Sequence, residues 1–288
     1  MLKLPSKVNF DICTFCNHKC TFCSNPDKRT LKNIVSLKDF EKVMDNVTRR
    51  LDIKELGLSA KGEVLINTEI VSIINLCKQK YNIPYIYISS NGALLTKELA
   101  NDILSAGLDS IKFSINAINR EDYKRVHLKD DFIKVIDNLK YLIKLKKEKL
   151  PNLKIFLSSI IDKSKDEITN TFRILLGEDF KYIDNNMKYS ISFTPKFEKF
   201  PQDMSKIKPC PLVFDEIYID SDCRLGLCCK DYFKEFDFGS LLTNDFMNLY
   251  ASEEFNNIRN MHLNKSFPDN HFCKKCLIFS KEMENEEK

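Results

Sequence analysis

The sequence predicts an α/β fold built on a parallel sheet. Three observations carry that reading. Short runs rich in β-branched and aromatic residues alternate with amphipathic stretches from residue 8 to about 193. These segments follow one another as six strand–helix units, the order that βαβ crossovers impose on a parallel sheet. Cysteines gather at the two ends of this region, four within 13–23 and six within 210–276, with Cys77 alone between them.

The elements follow in order. KVNFDI (7–12) reads as a first strand. SLKDFEKVMDNVTRRL (36–51) has helical apolar spacing with Ser36 as N-cap. IKELGLSA (53–60) is a strand, and NTEIVSIINLCKQKY (67–81) a helix capped by Asn67 or Thr68, with Cys77 on its apolar face. PYIYISSNG (84–92) is a strand ending in a turn, and TKELANDILSAG (96–107) a helix closed by Gly107. DSIKFSIN (109–116) is a strand and 131–148 a helix whose lysines form a solvated face. LKIFLSSII (153–161), SKDEITNTFRILLG (164–177) and MKYSISF (187–193) read as strand, helix and sixth strand. Periodicity leaves open whether the sheet is flat or curled into a partial barrel. In either form the binding residues belong at the C-terminal strand ends.

The texture changes after 194. Residues 196–209 read as a linker between a first domain, 1–195, and a second, 210–288. FDEIYIDSDCRLGLCCKDY (214–232) reads as a β-hairpin turning near Ser221–Asp222, SEEFNNIRNMHL (252–263) as a helix, and KEMENEEK as a frayed end.

Composition narrows the function. The 288 residues are 43% apolar, enough for a core, and 45 basic against 41 acidic residues give a net charge of +4. That near-balance points to neither a nucleic-acid nor a membrane partner. MLKLPSKVNFDIC lacks the apolar core of a signal peptide, and no apolar run approaches the ~18 residues of a membrane span. The expectation is a cytoplasmic monomer. Eleven cysteines in a reducing compartment then argue for metal binding or catalysis rather than disulfides.

CNHKCTFC places Cys16, Cys20 and Cys23 directly after the first strand. Three thiolates hold three corners of a [4Fe–4S] cluster and leave one iron open. Zinc is the rival, with His18 or Cys13 as a fourth ligand. His18 is cramped, two residues from both Cys16 and Cys20, and the spacing favours the cluster.

C-x3-C-x2-C after the first strand of an α/β domain resembles the radical S-adenosylmethionine (SAM) superfamily. The resemblance extends over the whole chain and implies a partial (βα)6 TIM-like barrel. Phe22 stands where that family packs a ring near adenine. SAKGE (59–63) resembles the Gly-Gly-Glu segment after strand two, which approaches the methionine amino group. Ser59, Lys61, Gly62 and Glu63 are candidate contacts, with Lys61 in place of the first glycine and Val64 where proline is frequent. SSNG (89–92) resembles the turn after strand three, with Ser89 and Asn91 as candidates. FSINAINREDYKRVH (113–127) resembles the fourth strand and its following helix, with Ser114 and Asn116 near the ribose or carboxylate of SAM and Arg125 as loop support. Ser158 or Ser159 is a further candidate on strand five. The chemistry implied is reductive cleavage of SAM to a 5′-deoxyadenosyl radical that abstracts a substrate hydrogen. A flavodoxin- or ferredoxin-type reductant supplies the electron.

At the other end, Cys210, Cys228, Cys273 and Cys276 would hold zinc or a complete [4Fe–4S] cluster. Without context zinc is the better choice; beside a radical SAM barrel the pattern resembles the auxiliary-cluster extension called SPASM, or its shortened Twitch form. Cys223 occupies the turn-glycine position of that pattern. Counting from it selects Cys228, and a one-residue slip would substitute Cys229. The resemblance is greatest to Twitch enzymes such as the aminocyclitol dehydrogenase of butirosin biosynthesis. It implies oxidation of a small polar metabolite, a sugar or aminocyclitol alcohol, with the auxiliary cluster as electron acceptor.

Two other readings compete. One is a ribosomal-peptide maturase forming thioethers or epimers. With about seven residues before the first strand, no leader-binding domain is expected. An epimerase would need a hydrogen-atom donor, for which Cys229, Cys223 and Cys77 are unassigned, Cys77 being read as core. The other is a non-enzymatic zinc-binding protein. His127, His262 and His271 are read as surface or core residues.

Overall fold

The structure is a computed structural model that describes residues 4–23, 33–59, 61–160, 164–184, 187–190, 208–232 and 234–277. One mixed sheet organises it. Strands β1 (Lys7–Asp11), β2 (Glu55–Ser59), β3 (Tyr85–Ser90), β4 (Ser110–Ser114), β5 (Lys154–Ile160) and β6 (Met187–Ser190) are successive parallel neighbours. Between them run α1 (Leu37–Thr48), α2 (Ile70–Gln79), α3 (Lys97–Ser105), α4 (Arg120–His127), α5 (Phe132–Glu148) and α6 (Lys165–Leu176). The chain then returns to the other edge. After the short α7 (Leu212–Asp215), β7 (Glu216–Ile219) pairs in parallel with β1, and β8 (Arg224–Gly226) and β9 (Asp237–Ser240) extend the sheet antiparallel. Helices α8 (Phe246–Tyr250) and α9 (Glu253–Asn264) and a helical segment at 272–277 follow.

The strand order is β6-β5-β4-β3-β2-β1-β7-β8-β9, so the barrel is open, and the hairpin continues the same sheet. The hairpin turns through Asp220–Cys223, around the expected position. Strand β9 and helix α8 were not expected; four strand residues and five helical ones are too few to show a period. Most of the expected linker lies in 191–207, outside the described residues, as do the last strand-six positions and the acidic end.

Side chains alternate strictly between the two faces. Val8 and Phe10, Leu56 and Leu58, Ile86 and Ile88, Ile111 and Phe113, Ile155 and Leu157, and Ile217 and Ile219 are all fully buried in the core under the helices. The other face carries Asn9, Asp11, Tyr85, Tyr87, Lys112, Phe156, Glu216 and Tyr218. A sheet covered on both faces would be apolar throughout; this one encloses a polar lumen. Gly57 keeps it open. A Cβ there would stand 2.2 Å from Asn9 Oδ1 and 2.6 Å from Tyr87 Cζ, so glycine lets the Tyr87 hydroxyl reach across β2 to Asn9 at 2.9 Å.

Caps fix the helix starts. Ser36, Thr96, Asn119, Ser164 and Ser252 each accept a backbone N–H with the side chain. Helices α2, α5 and α7 lack such a cap; α2 begins at Ile70, and neither Asn67 nor Thr68 caps it. A single 3₁₀ turn, Val64–Ile66, intervenes. Buried Asn67 is used otherwise, its Nδ2 donating to the carbonyls of Ile12 at 3.2 Å and Val35 at 2.9 Å.

Candidate active site

The first cysteine loop follows β1 at the C-terminal edge of the sheet. Its backbone docks on the end of α4, Thr21 N–H donating to the Val126 carbonyl at 2.9 Å and Lys19 N–H to that of His127 at 3.4 Å. The 61–63 segment clamps it from the other side. Gly62 N–H donates to Cys13 O at 3.2 Å and Glu63 N–H to Phe15 O at 2.6 Å. A Cβ at Gly62 would lie 1.9 Å from Phe15 O, so only glycine permits this approach.

The Glu63 carboxylate ties the loops after β2 and β3 together. It accepts from Ser90 Oγ at 2.7 Å, Asn91 N–H at 2.8 Å and Leu65 N–H at 3.1 Å. Asn91 Nδ2 in turn donates to Asn17 Oδ1 at 2.8 Å, inside the cysteine loop.

These loops enclose a cavity of about 800 Å³, part of it open to solvent. Cys16, Cys20 and Cys23 line it, together with Phe22, Lys61, Gly62, Glu63, Ser89, Asn91, Ser114 and Asn116. Of the other expected contacts, Ser158 lies just behind, its hydroxyl 3.4 Å from that of Ser114, and the Ser59 side chain is outside the described residues. Cys13 is buried in the core, its thiol pushed up to about 11 chiefly by burial. Arg125 pairs with Asp122 on its own helix.

Three further residues line the cavity: His18, weighed from the sequence only as a zinc ligand, His127, read there as surface or core, and Tyr232, which carried no signal. His127 is buried and lines it, with Nδ1 3.2 Å from Cys20 Sγ and Nε2 2.6 Å from the Ile115 carbonyl. Tyr232 follows the hairpin by six residues, so the C-terminal part of the chain supplies one wall.

Lys61, the departure from the Gly-Gly-Glu pattern, has a structural use. Its ammonium is 7% exposed, 3.0 Å from Asp220 Oδ1 and 3.0 Å from the Asp231 carbonyl, and sits over the Tyr218 ring. It joins the loop after β2 to the hairpin. Its backbone N–H donates to Asp11 Oδ1 at 2.9 Å, and Tyr218 OH donates to Asp11 Oδ2 at 3.3 Å. Burial nevertheless raises the Asp11 carboxyl to about 7.

The second cysteine group is more deeply placed. Burial pushes the Cys273 thiol well above its ordinary range, and the charges of Cys228, Cys276 and Cys210 add to the effect. Cys228 is likewise raised, by burial first and then by Cys229 and Cys276. These four thiols share one pocket of charge. Cys229 adjoins them, adding to the charge on Cys228 and feeling that of Cys210. Burial, then Glu216, raises it to about 11, and it acts on the lumen residues Tyr87, Tyr218 and Tyr232. Cys223 lies in the core at φ 59°, the left-handed conformation that a turn glycine adopts freely. Cys77 is core, as expected. His262 and His271 accept the backbone N–H groups of Cys210 at 3.3 Å and Cys273 at 3.1 Å.

Comparison with known proteins now decides the family. The radical SAM superfamily matches residues 11–175, more than half of the chain. The chain belongs to the radical SAM superfamily. The iron–sulfur cluster-binding SPASM domain matches 210–277. Among curated relatives, a probable GTP 3′,8-cyclase of Thermococcus kodakarensis is 25% identical over 78% of this chain and 70% of its own. One of Saccharolobus islandicus is 34% identical, but the match spans 44% of this chain and 40% of that one. Three solved structures share the fold. BtrN in complex with AdoMet and 2-DOIA has TM-score 0.59 and 15% identity over 92% of both chains. Streptococcus suis SuiB bound to the precursor peptide SuiA has 0.68 and 13% over 96% of this chain and 70% of that one. anSMEcpe with bound AdoMet has 0.66 and 14% over 88% and 82%.

A radical SAM chain with a SPASM region carries a SAM-binding [4Fe–4S] cluster, SAM and an auxiliary cluster. The donor sets fit both clusters. Three half-buried thiols on a cavity suit a cluster with one open iron, and four grouped thiols suit a fully ligated one. Among the described residues no helix is long and apolar enough to cross a membrane.

Proposed function

We propose that this radical SAM enzyme dehydrogenates an alcohol carbon of a small polar metabolite, a sugar or aminocyclitol, with the auxiliary cluster as electron acceptor. What supports the reading is that Cys210, Cys228 and Cys276 all act on the buried Cys273 thiol, enough sulfurs for one cluster. A cluster so enclosed has no open iron for substrate and suits one-electron transfer. SAM and its cluster, held at Cys16, Cys20 and Cys23, supply the hydrogen-abstracting 5′-deoxyadenosyl radical.

The chain's own residues do the rest. Gly62 and Glu63 hold the cysteine loop against the cavity. Ser89, Asn91, Ser114 and Asn116 offer polar groups along one wall, and Phe22 a ring near the cysteines. Tyr85, Tyr87, Lys112 and Phe156 line a second cavity deeper in the lumen, which shares Ser89 with the first and is suited to a polar ring compound. Oxidation removes a hydrogen atom from carbon, a proton from oxygen and one further electron.

The test is anaerobic turnover of the reconstituted enzyme with SAM, dithionite and a panel of polyols and aminocyclitols. One ketone formed per 5′-deoxyadenosine supports the reading, provided that Cys273→Ala still cleaves SAM yet loses the ketone. Undiminished ketone formation by that variant would remove the auxiliary cluster from the reaction. A second reading follows from the relatives named as GTP 3′,8-cyclases: a nucleotide substrate and a ring closure. GTP added to the same assay separates the two. SuiB motivates a third arm with ribosomal peptides, in which thioether or epimer formation would be read by mass.

A further inference from the structure

Two imidazoles converge on Cys20 in a way the cluster-and-SAM chemistry does not use. His18 and His127 are 3% and 1% exposed, with ring centroids 5.3 Å apart. Each is anchored through Nε2, His18 to Asp131 Oδ2 at 3.0 Å and His127 to the Ile115 carbonyl at 2.6 Å. That leaves the two Nδ1 atoms. His127 Nδ1 is 3.2 Å from Cys20 Sγ, and His18 Nδ1 is buried with no hydrogen-bond partner. Ligand atoms of His18, Cys20 and His127 all lie within 4.8 Å of one another.

Metal-bound histidines show this pattern. One ring nitrogen donates to a carboxylate or a backbone carbonyl, which fixes the tautomer and turns the other lone pair to the ion. A tetrahedral zinc, with Zn–N about 2.0 Å and Zn–S about 2.3 Å, sets its ligand atoms roughly 3.3–3.8 Å apart. The observed spacings reach that range with small side-chain movements.

We infer that the cluster-free chain binds one thiophilic divalent cation, Zn²⁺ or Fe²⁺, through Cys20 Sγ, His18 Nδ1 and His127 Nδ1, with water as the fourth ligand. Binding releases the Cys20 thiol proton to solvent and involves no electron transfer. Asp131 behind His18 offsets part of the charge of the ion. The cation state excludes the SAM cluster, because the Cys20 thiolate cannot serve both. The exclusion rests on the reading of Cys20 as a cluster ligand, whereas the cation site does not.

The experiment strips the full chain of iron by anaerobic chelation, loads it with Zn²⁺, removes excess metal, and measures zinc content and the zinc X-ray absorption edge. Wild type is expected to hold about two zinc ions, one of them at the four C-terminal thiols. Cys16→Ala/Cys23→Ala should keep about two, and His18→Ala/His127→Ala about one, with imidazole scattering lost. The opposite pattern overturns the proposal, since the three cysteines would then hold the ion. A wild type that holds about one zinc overturns it too. Circular dichroism confirms folding, and the milder Asp131→Asn, which loosens the partner behind His18 and is expected to weaken zinc about tenfold, tests the site if the double variant unfolds. In a final arm, iron and sulfide are added to zinc-loaded wild type. Slowed assembly of the N-terminal cluster, read by electron paramagnetic resonance with SAM, supports the exclusion. Assembly at the unloaded rate, with the zinc count standing, would instead discard Cys20 as a cluster ligand.

Discussion

The two cysteine groups are made differently. Cys16, Cys20 and Cys23 are half-buried on an irregular loop, which is held by backbone bonds to α4 and to the 61–63 segment. Cys228 and Cys273 are 7% and 5% exposed and belong to the same core cluster as Phe238 and Phe272. An open group can present chemistry to a cavity while the fold stands without it. The second group reaches into the core through Cys228 and Cys273, with Cys210 and Cys276 half-buried beside it, and is more a part of the fold, because bringing unpaired thiolates together in a core is costly unless a metal compensates their charge.

The sharpest break of that contrast is cluster removal. Cys273→Ala should lose about half of the iron and lower Tm by roughly 5–10 °C, since the metal-binding energy is folding energy. Cys16→Ala/Cys20→Ala/Cys23→Ala should lose the other half and all SAM cleavage, with a Tm change under about 3 °C. Equal Tm losses in the two variants would erase the distinction. Cys229→Ser should keep full iron; losing half would exchange its role with that of Cys228.

Lys61 lies where the two regions meet. Lys61→Met leaves the 6%-exposed Asp220 carboxylate, among the described residues, with Lys234 at 3.4 Å as its one cation. The expected cost is about 3 kcal/mol, from breaking a buried pair on one side. Lys61→Met/Asp220→Asn should recover part of it, by urea unfolding. A single-variant cost under about 0.5 kcal/mol would mean the junction is not held by this pair.

Asp11 gives a smaller, pH-dependent effect. Its folded carboxyl is raised to about 7 against an ordinary 3.8, so the native state holds the proton more tightly than the unfolded chain. The stability that Asp11 contributes should therefore be greatest at low pH and fall as pH rises from about 4 to about 7, by no more than about 1.4 kcal/mol per pH unit, against the opposite contribution of the buried His127 and His262. Asp11→Asn should flatten that slope between pH 5 and 7. An unchanged slope assigns it to other groups.

The smallest effect is expected at Cys223. Glycine would relieve its left-handed backbone by about 1 kcal/mol while giving up the buried sulfur. Cys223→Gly should stay within about 1 kcal/mol of wild type, and Cys223→Ala, which keeps the strain and loses the sulfur, should be the less stable of the two.

Much of this was legible from residue patterns. Short β-rich runs marked the strands, and the alternation in VNFD, ELGL, YIYIS and IKFS, not used in that reading, carries their two faces. Capping residues set most helix starts, and cysteine spacing marked both metal regions. Helix α2 was misplaced at its start because Asn67 resembles a cap while its side chain serves two distant carbonyls. His127 was passed over because a histidine late in an amphipathic helix carries no local sign of what it meets. Its partners, Cys20 and the Ile115 carbonyl, lie 107 and 12 residues away.

By itself, then, the sequence determined what depends on neighbours along the chain: the order of strands and helices, their faces, the caps and the ligand spacings. Tertiary structure decided what depends on residues far apart. It brought β7 beside β1 and Tyr232 to the wall of the cavity. It set Cys228 and Cys229 beside the other C-terminal thiols, with Cys229 also acting on Tyr218 of the lumen. It also gave Lys61, an exception to a glycine pattern, its partner Asp220, 159 residues away. Periodicity reports only which face a residue takes; which residue it meets there depends on sheet order and curvature, which the whole chain sets together.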